Sequence, residues 1–88
     1  MAGFQWDDAN EAHIARHGLD RFDVEEALLD PDGLNAAASS RITERRFGFI
    51  GATVPGRILY VVYTERGGEL RVVTAYDASA NQKRRYRG

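Results

Sequence analysis

Cysteine is absent from this chain, which excludes a disulfide framework, thiolate chemistry and any cysteine-based zinc site. Histidine is nearly absent too, with only His13 and His17. They stand four apart, on one face of a helix, but position 14 is Ile14, where a zinc-protease helix carries its glutamate base. No third histidine completes a ligand set, so neither a metal nor a cofactor is expected, and a packed histidine at a helix end suits the helix dipole better. Long apolar runs are missing: none nears the ~18 residues of a membrane span. The N-terminus also lacks the basic start and apolar stretch of a signal peptide. The expectation is a cytoplasmic protein with no membrane partner. Repeats and low-complexity segments are not seen.

What is present describes one domain over residues 1–88, with 43% hydrophobic and 28% charged residues, ordinary for a soluble globular protein. The net charge of −1 hides a division. Residues 1–40 carry nine acids against Arg16 and Arg21, net −7; residues 41–88 carry ten bases against four acids, net +6. The basic half suggests a polyanionic partner, and mutual neutralisation of the two halves across the fold explains the same numbers equally well.

The segment from Arg57 to Asp77 organises the rest. Two β-branched and aromatic runs flank Glu65-Arg66-Gly67-Gly68, which reads as a hairpin. Pairing Thr64 with Glu69 sets Tyr63 against Leu70 and Val62 against Arg71. Leu59, Val61, Tyr63, Leu70, Val72 and Thr74 then share one face, and Ile58, Tyr60, Val62, Arg71, Val73 and Ala75 the other. Both faces are apolar enough to be covered, and Arg71 is a lone charge in mid-strand. Upstream, Arg41 to Thr53 reads as a strand, and Val54-Pro55-Gly56-Arg57 as a type II turn. That turn pairs Thr53 with Ile58, placing Phe49 beside Val62 and making the first hairpin arm the middle strand.

Phe4-Gln5-Trp6 alternates like a short edge strand. Asp7 or Asp8 caps a helix from about Ala9 to His17, stopped by Gly18. Asp20 or Asp23 opens a second helix, roughly Asp23 to Asp30, whose Val24, Ala27 and Leu28 form an apolar stripe. Asp30-Pro31-Asp32-Gly33 breaks the chain. Leu34 to Ser40 is an irregular connection or a weak edge strand, and Ala78 to Tyr86 a basic terminal helix. The fold class is α+β: two N-terminal helices packed on an antiparallel β-meander, then a short C-terminal helix.

Glu44-Arg45-Arg46, Arg71 and Lys83-Arg84-Arg85-Tyr86-Arg87 supply cations, and Tyr60, Tyr63 and Tyr76 supply flat rings for unstacked bases. Solvated surface, or a patch for an acidic protein, accounts for the same charges. Metal-free RNA cleavage needs a base for the ribose 2′-hydroxyl, an acid for the leaving oxygen and cations for the phosphorane. Glu44 is a candidate base and Tyr63 or His17 a candidate acid, although tyrosine's ordinary pKa of about 10 makes it a slow one.

Phe4-x-Trp6-Asp7, His17-Gly18, Glu44-Arg45-Arg46-Phe47-x-x-Ile50-Gly51, Val61-Val62-Tyr63-Thr64, Leu70-Arg71-Val72-Val73-Thr74-Ala75, Ala78-Ser79 and Arg85-Tyr86 occur in that order. Together they resemble the BrnT toxin family, small bacterial ribonucleases of type II toxin–antitoxin pairs with a RelE-like fold. The resemblance implies a metal-independent endoribonuclease that cleaves RNA and blocks translation. Its implied partner is a BrnA-like antitoxin with a DNA-binding domain, joined in a heterotetramer. On this reading Glu44, Arg45, Arg71, Tyr63 and Tyr76 are catalytic, while Arg46, Lys83, Arg84 and Arg85 hold RNA. The chain departs from the family pattern at Tyr76, where an arginine is usual, at Gln82, where a glutamate is common, and at Asn10 in place of a lysine. Those departures motivate a second reading: a catalytically weak or inactive module that binds RNA or the antitoxin.

Overall fold

The computed structural model describes residues 3–39 and 44–88. Its elements are β1 (Phe4–Gln5), α1 (Asp8–Ala15), α2 (Arg21–Leu28), β2 (Leu34–Ala36), β3 (Phe47–Ala52), β4 (Ile58–Arg66), β5 (Glu69–Asp77) and α3 (Ala80–Arg87). The five strands form one sheet in the order β1-β5-β4-β3-β2. The α+β class and the central place of β4 are as expected. The sheet is not a pure meander, because β1 joins β5 in parallel, Phe4 opposite Leu70 and Gln5 opposite Arg71. Residues 41–43 of the expected first long strand lie outside the described residues; the remainder is shorter, beginning at Phe47.

Each helix begins at a reciprocal capping box, in which the cap side chain accepts from the third residue's N–H and that residue's side chain accepts in return. The pairs are Asp7 with Asn10, Asp20 with Asp23 and Ser79 with Gln82. Asp20 as cap starts α2 two residues before the expected Asp23. Gly18, at φ 71°, closes α1, with Leu19 N–H returning to the Ile14 carbonyl at 3.3 Å. Asn10 is buried and satisfied: its Nδ2 donates to the carbonyls of Gln5 and Val72 at 3.0 and 3.2 Å, fastening α1 to two strands.

The sheet has a core on each face. Ile14, Leu19, Val24 and Ala27 of the α1–α2 layer meet Leu59, Val61, Val72 and Ala75 on one side. Ile50, Ile58, Tyr60, Val62 and Ala78 form the other, with Leu34, Val73 and Tyr86 of α3 packed against them. Burying these side chains is the main stabilising term.

Three registers differ from the sequence reading. The β4–β5 turn has two residues: Arg66 pairs with Glu69, and Gly67 and Gly68 take φ 57° and 81°. This is the two-residue turn whose twist matches the strands, so Glu65 and Arg66 stay in β4 and Arg71 faces Thr64 instead of Val62. Farther along, a bulge between Val62 and Tyr63 sets Tyr63 opposite Val72 but Val62 opposite Thr74. The extra residue carries Ala75 to the Leu59–Val61 face. The β3–β4 loop is Val54-Pro55-Gly56, closed by Gly56 N–H to Thr53 O at 2.9 Å and Thr53 N–H to Arg57 O at 2.9 Å. Gly56 is left-handed at φ 100°, which fits a three-residue hairpin loop and not a type II turn centred on Pro55-Gly56. The pairing therefore moves by one, Ala52 to Ile58 and Phe49 to Val61.

Candidate functional site

The one-residue move in register sets Phe47 directly opposite Tyr63. Their rings stack with centroids 5.5 Å apart and planes at 25°. The Arg45 guanidinium carbon lies 5.9 Å from the Phe47 ring centre, within cation–π range. A column of cation, ring and ring results at the corner where β3 and β4 pass β2. Thr64 Oγ1 donates to the Arg45 carbonyl at 2.8 Å and fixes the entry to β3. Around the column opens a cavity of about 520 Å³, lined by Asn35–Ala38, Arg45–Gly48 and Tyr63. That volume falls within the range of small-ligand clefts.

Glu44 stands at the rim, hydrogen-bonded to Arg46 Nε at 3.1 Å and to Arg66 at 3.2 Å. The bond from Arg46, followed by that from Arg66, holds its carboxyl below the ordinary glutamate value despite some burial. Glu44 is thus ionised at neutral pH but a weak proton acceptor, and it orients two arginines. Burial pushes the Tyr63 phenol up, with the Glu65 charge adding to it. That makes Tyr63 a reluctant acid and leaves its ring face as the more useful property.

The structure brings Glu44, Arg45, Arg46 and Tyr63 together and separates the other predicted residues. Arg71 faces Thr64 one strand over, and its guanidinium is bound by Asp7 at 2.8 and 3.3 Å. Tyr76 is opposite Tyr60, three residues or about 10 Å along β4 from Tyr63. Its ring meets Tyr60 at 5.5 Å and His17 at 5.6 Å. On α3, Arg85 reaches the carbonyl of Asn35 at 3.3 Å, at the edge of the cavity. Arg84 bonds Asn81, and the charge of Lys83 acts on Asp77. Among the described residues, the terminal cations thus adjoin the corner through Arg85.

Sequence reasoning missed Phe47 and Asn35 as lining residues. A correct reading of the Val54-Pro55-Gly56 loop would have placed Phe47 against Tyr63. The pairing of His13 and His17 on one helix face was anticipated, and their rings are 6.0 Å apart; the contact of His13 Nε2 with Thr74 Oγ1 at 2.9 Å was not. Bonds between positions about sixty residues apart leave no periodic signal. Among the described residues no group of three or more His, Asp or Glu side chains converges as metal ligands.

Residues 6–82 match the family model described as the ribonuclease toxin BrnT of type II toxin–antitoxin systems. The chain belongs to the BrnT family. Its fold is also similar to the crystal structure of the Brucella abortus ribonuclease toxin BrnT, with a TM-score of 0.66 and 26% identity. That likeness covers 90% of this chain and 99% of the Brucella toxin. No curated protein sequence matches the chain. BrnT membership makes this a ribonuclease toxin of a type II pair, with an antitoxin as partner and RNA as target. The Gln82 side chain accepts from the Ser79 N–H at 2.8 Å, so the amide at this expected departure serves the capping box.

Proposed function

We propose that the chain is an endoribonuclease that takes a single-stranded RNA segment into the Arg45–Phe47–Tyr63 corner, cleaves it without a metal ion and so blocks translation. The cation–ring–ring column carries this reading, since it offers a phosphate-binding charge beside a stacking surface. Arg45 and Arg46 supply charge at the phosphate, Arg85 and its α3 neighbours Lys83 and Arg84 extend the electrostatic track, and Tyr63 stacks on a base. Glu44 orients Arg46 and accepts the 2′-hydroxyl proton as the 2′-oxygen attacks phosphorus; the P–O5′ bond breaks, a 2′,3′-cyclic phosphate forms and the leaving 5′-oxygen takes a proton from water. Tyr76 lies far enough away to serve a neighbouring nucleotide and not the bond that breaks. The cytoplasmic pairing with a BrnA-like, DNA-binding antitoxin in a heterotetramer belongs to the same proposal.

The decisive experiment is single-turnover cleavage of a mixed-sequence RNA in excess chelator. Wild type should generate discrete fragments, and Arg45→Ala combined with Arg46→Ala should slow them at least a hundredfold. Equal rates in the two proteins would remove the corner from the chemistry. A second reading, an RNA- or antitoxin-binding module with little catalysis, is favoured by the weak basicity of Glu44 and the raised pKa of Tyr63. It predicts salt-sensitive RNA binding with no fragments under the same conditions.

A further inference from the structure

We infer that the groove between α2 and the β3–β4 loop is the seat of the antitoxin, occupied by an apolar segment flanked by lysine or arginine. Phe22, Leu29 and Val54 are 60%, 61% and 83% exposed, and the other exposed large apolar side chain among the described residues, Tyr76, lies elsewhere at 37%. Phe22 and Glu26 of α2 and Leu29, its C-cap residue, recur at i, i+4 and i+7, one stripe. Glu26 accepts the Val54 N–H at 2.9 Å, bringing the loop against that stripe. Between them lies a cavity of about 490 Å³ bounded by Leu29, Pro31, Ala52, Val54 and Tyr86. An exposed apolar concavity of this kind marks a protein-docking surface.

Charge selects the occupant. Among the described residues, Glu26 and Asp30 accept hydrogen bonds only from neutral donors. Neither they nor Asp32 enters an ion pair among the described residues. Their negative charge repels a phosphate backbone and attracts a cationic segment. A second copy of the chain fits poorly, since a two-fold contact would set these carboxylates against their own images. The inference rests on the toxin–antitoxin reading for the existence of the partner. It assigns that partner a face separate from the RNA corner, linked to it by α3: Tyr86 lines the groove, and Arg85 reaches Asn35 at the corner.

The test uses the full toxin, its co-encoded antitoxin, and a Leu29→Ser/Val54→Ser variant, with both changes at exposed positions. Circular dichroism melts of the two toxins confirm folding, calorimetric titration reads antitoxin affinity, and RNA cleavage is measured on the uncomplexed proteins. The variant should bind the antitoxin at least tenfold more weakly and cleave RNA within twofold of wild type. Asp32→Lys should weaken the antitoxin as well, with the difference from wild type shrinking at high salt. Affinity of the double variant within twofold of wild type would overturn the assignment. So would light scattering that shows a wild-type dimer which the double variant dissociates, because the groove would then belong to a second copy. Loss of antitoxin binding in a protein whose wild type cuts no RNA would sustain this inference and defeat the nuclease reading alone.

Discussion

The guanidinium of Arg71 meets the Asp7 carboxylate at 2.8 and 3.3 Å, joining mid-strand β5 to the residue that caps α1. The cation that the sequence offered to a phosphate is therefore a fastener of the fold. Its hydrogen bond is the first cause holding the Asp7 carboxyl below the ordinary 3.8, with the Asn10 N–H second. Because the folded pKa is lowered, the contribution to stability is present above the unfolded value and is lost as pH falls through the folded one. Arg71→Ala should lower the melting temperature at pH 7, and the gap to wild type should close below pH 3.8. Calorimetric melts across that range check it; a gap independent of pH would separate Arg71 from Asp7.

Arg45 and Arg46 flank the corner with charge, so their effect on RNA should scale with salt. Each replacement by alanine should reduce the slope of log affinity against log salt by roughly 0.7, the single-strand value per phosphate contact. Tyr63→Ala should leave that slope unchanged and cost about 1–3 kcal/mol of binding through lost stacking. Tyr63→Phe keeps the ring and should bind like wild type. Fluorescence titrations at several salt concentrations distinguish the two kinds of contact.

Glu44 predicts the shape of the pH–rate profile. Arg46 first, and then Arg66, hold its pKa below the ordinary 4.5, so the base form persists into acid. The acid limb of kcat/KM should lie below pH 4.5, and Glu44→Gln should abolish it while lowering the rate. A limb above pH 4.5, or one that survives Glu44→Gln, would take the base role away from Glu44.

Local chemistry was legible in the sequence and distant geometry was not. Asp7 and Asp20 cap helices because a short acceptor stands before helix-forming residues, a signal confined to four positions; the same signal at Ser79 went unread, and the last helix, expected from Ala78, starts at Ala80. The hairpin itself was visible in Gly67-Gly68, and the central place of β4 followed from it. Its register was not, because a glycine pair is compatible with loops of two or four residues, and the bulge at Val62/Tyr63 leaves no mark within the apolar run of residues 58–63. The parallel seat of β1 beside β5 depends on residues more than sixty positions apart. The same holds for the capture of Arg71 by Asp7. The corner was half legible: Arg45, Arg46 and Tyr63 stood out by type, while Phe47 passed for an ordinary strand residue until its partner was known.

Gly51 marks where α2 presses on β3. A β-carbon there would lie 2.0 Å from the Ala27 carbonyl oxygen and 2.9 Å from its carbon, both helix backbone. Nothing flexible can give way, so Gly51→Ala must displace α2 from the core that Val24 and Ala27 share with Leu59. The expected loss is about 3 kcal/mol, the upper range for overpacking. Gly67→Ala meets open space but a φ of 57°, and should cost only about 1 kcal/mol. Urea unfolding of both variants checks the order, which reverses if α2 can shift freely.

Tyr86 Oη donates to Asp30 Oδ2 at 2.5 Å, and that oxygen also accepts the Ala52 N–H at 2.8 Å. Burial works against the Asp30 charge, yet these bonds and the Asp32 N–H hold its carboxyl below the ordinary value. The same pair pushes the Tyr86 phenol up to about 12, with the hydrogen bond to Asp30 as the largest cause. A folded pKa raised above the unfolded value of about 10 means that the bond stabilises fully below pH 10. That contribution is lost as pH rises toward 12. Tyr86→Phe should cost about 1.5–3 kcal/mol at neutral pH, the worth of a hydrogen bond to a charged acceptor. It should also free α3, which has no fully buried residue of its own. Amide exchange in Ala80–Arg87 should then accelerate while the β4–β5 core stays protected. At alkaline pH wild type should converge on the variant as the phenol ionises beside the carboxylate. If α3 exchanges equally in both proteins at pH 7, the helix is held by Ala78 and Arg85 instead, and Tyr86 loses its role as the clasp between α3 and the end of α2.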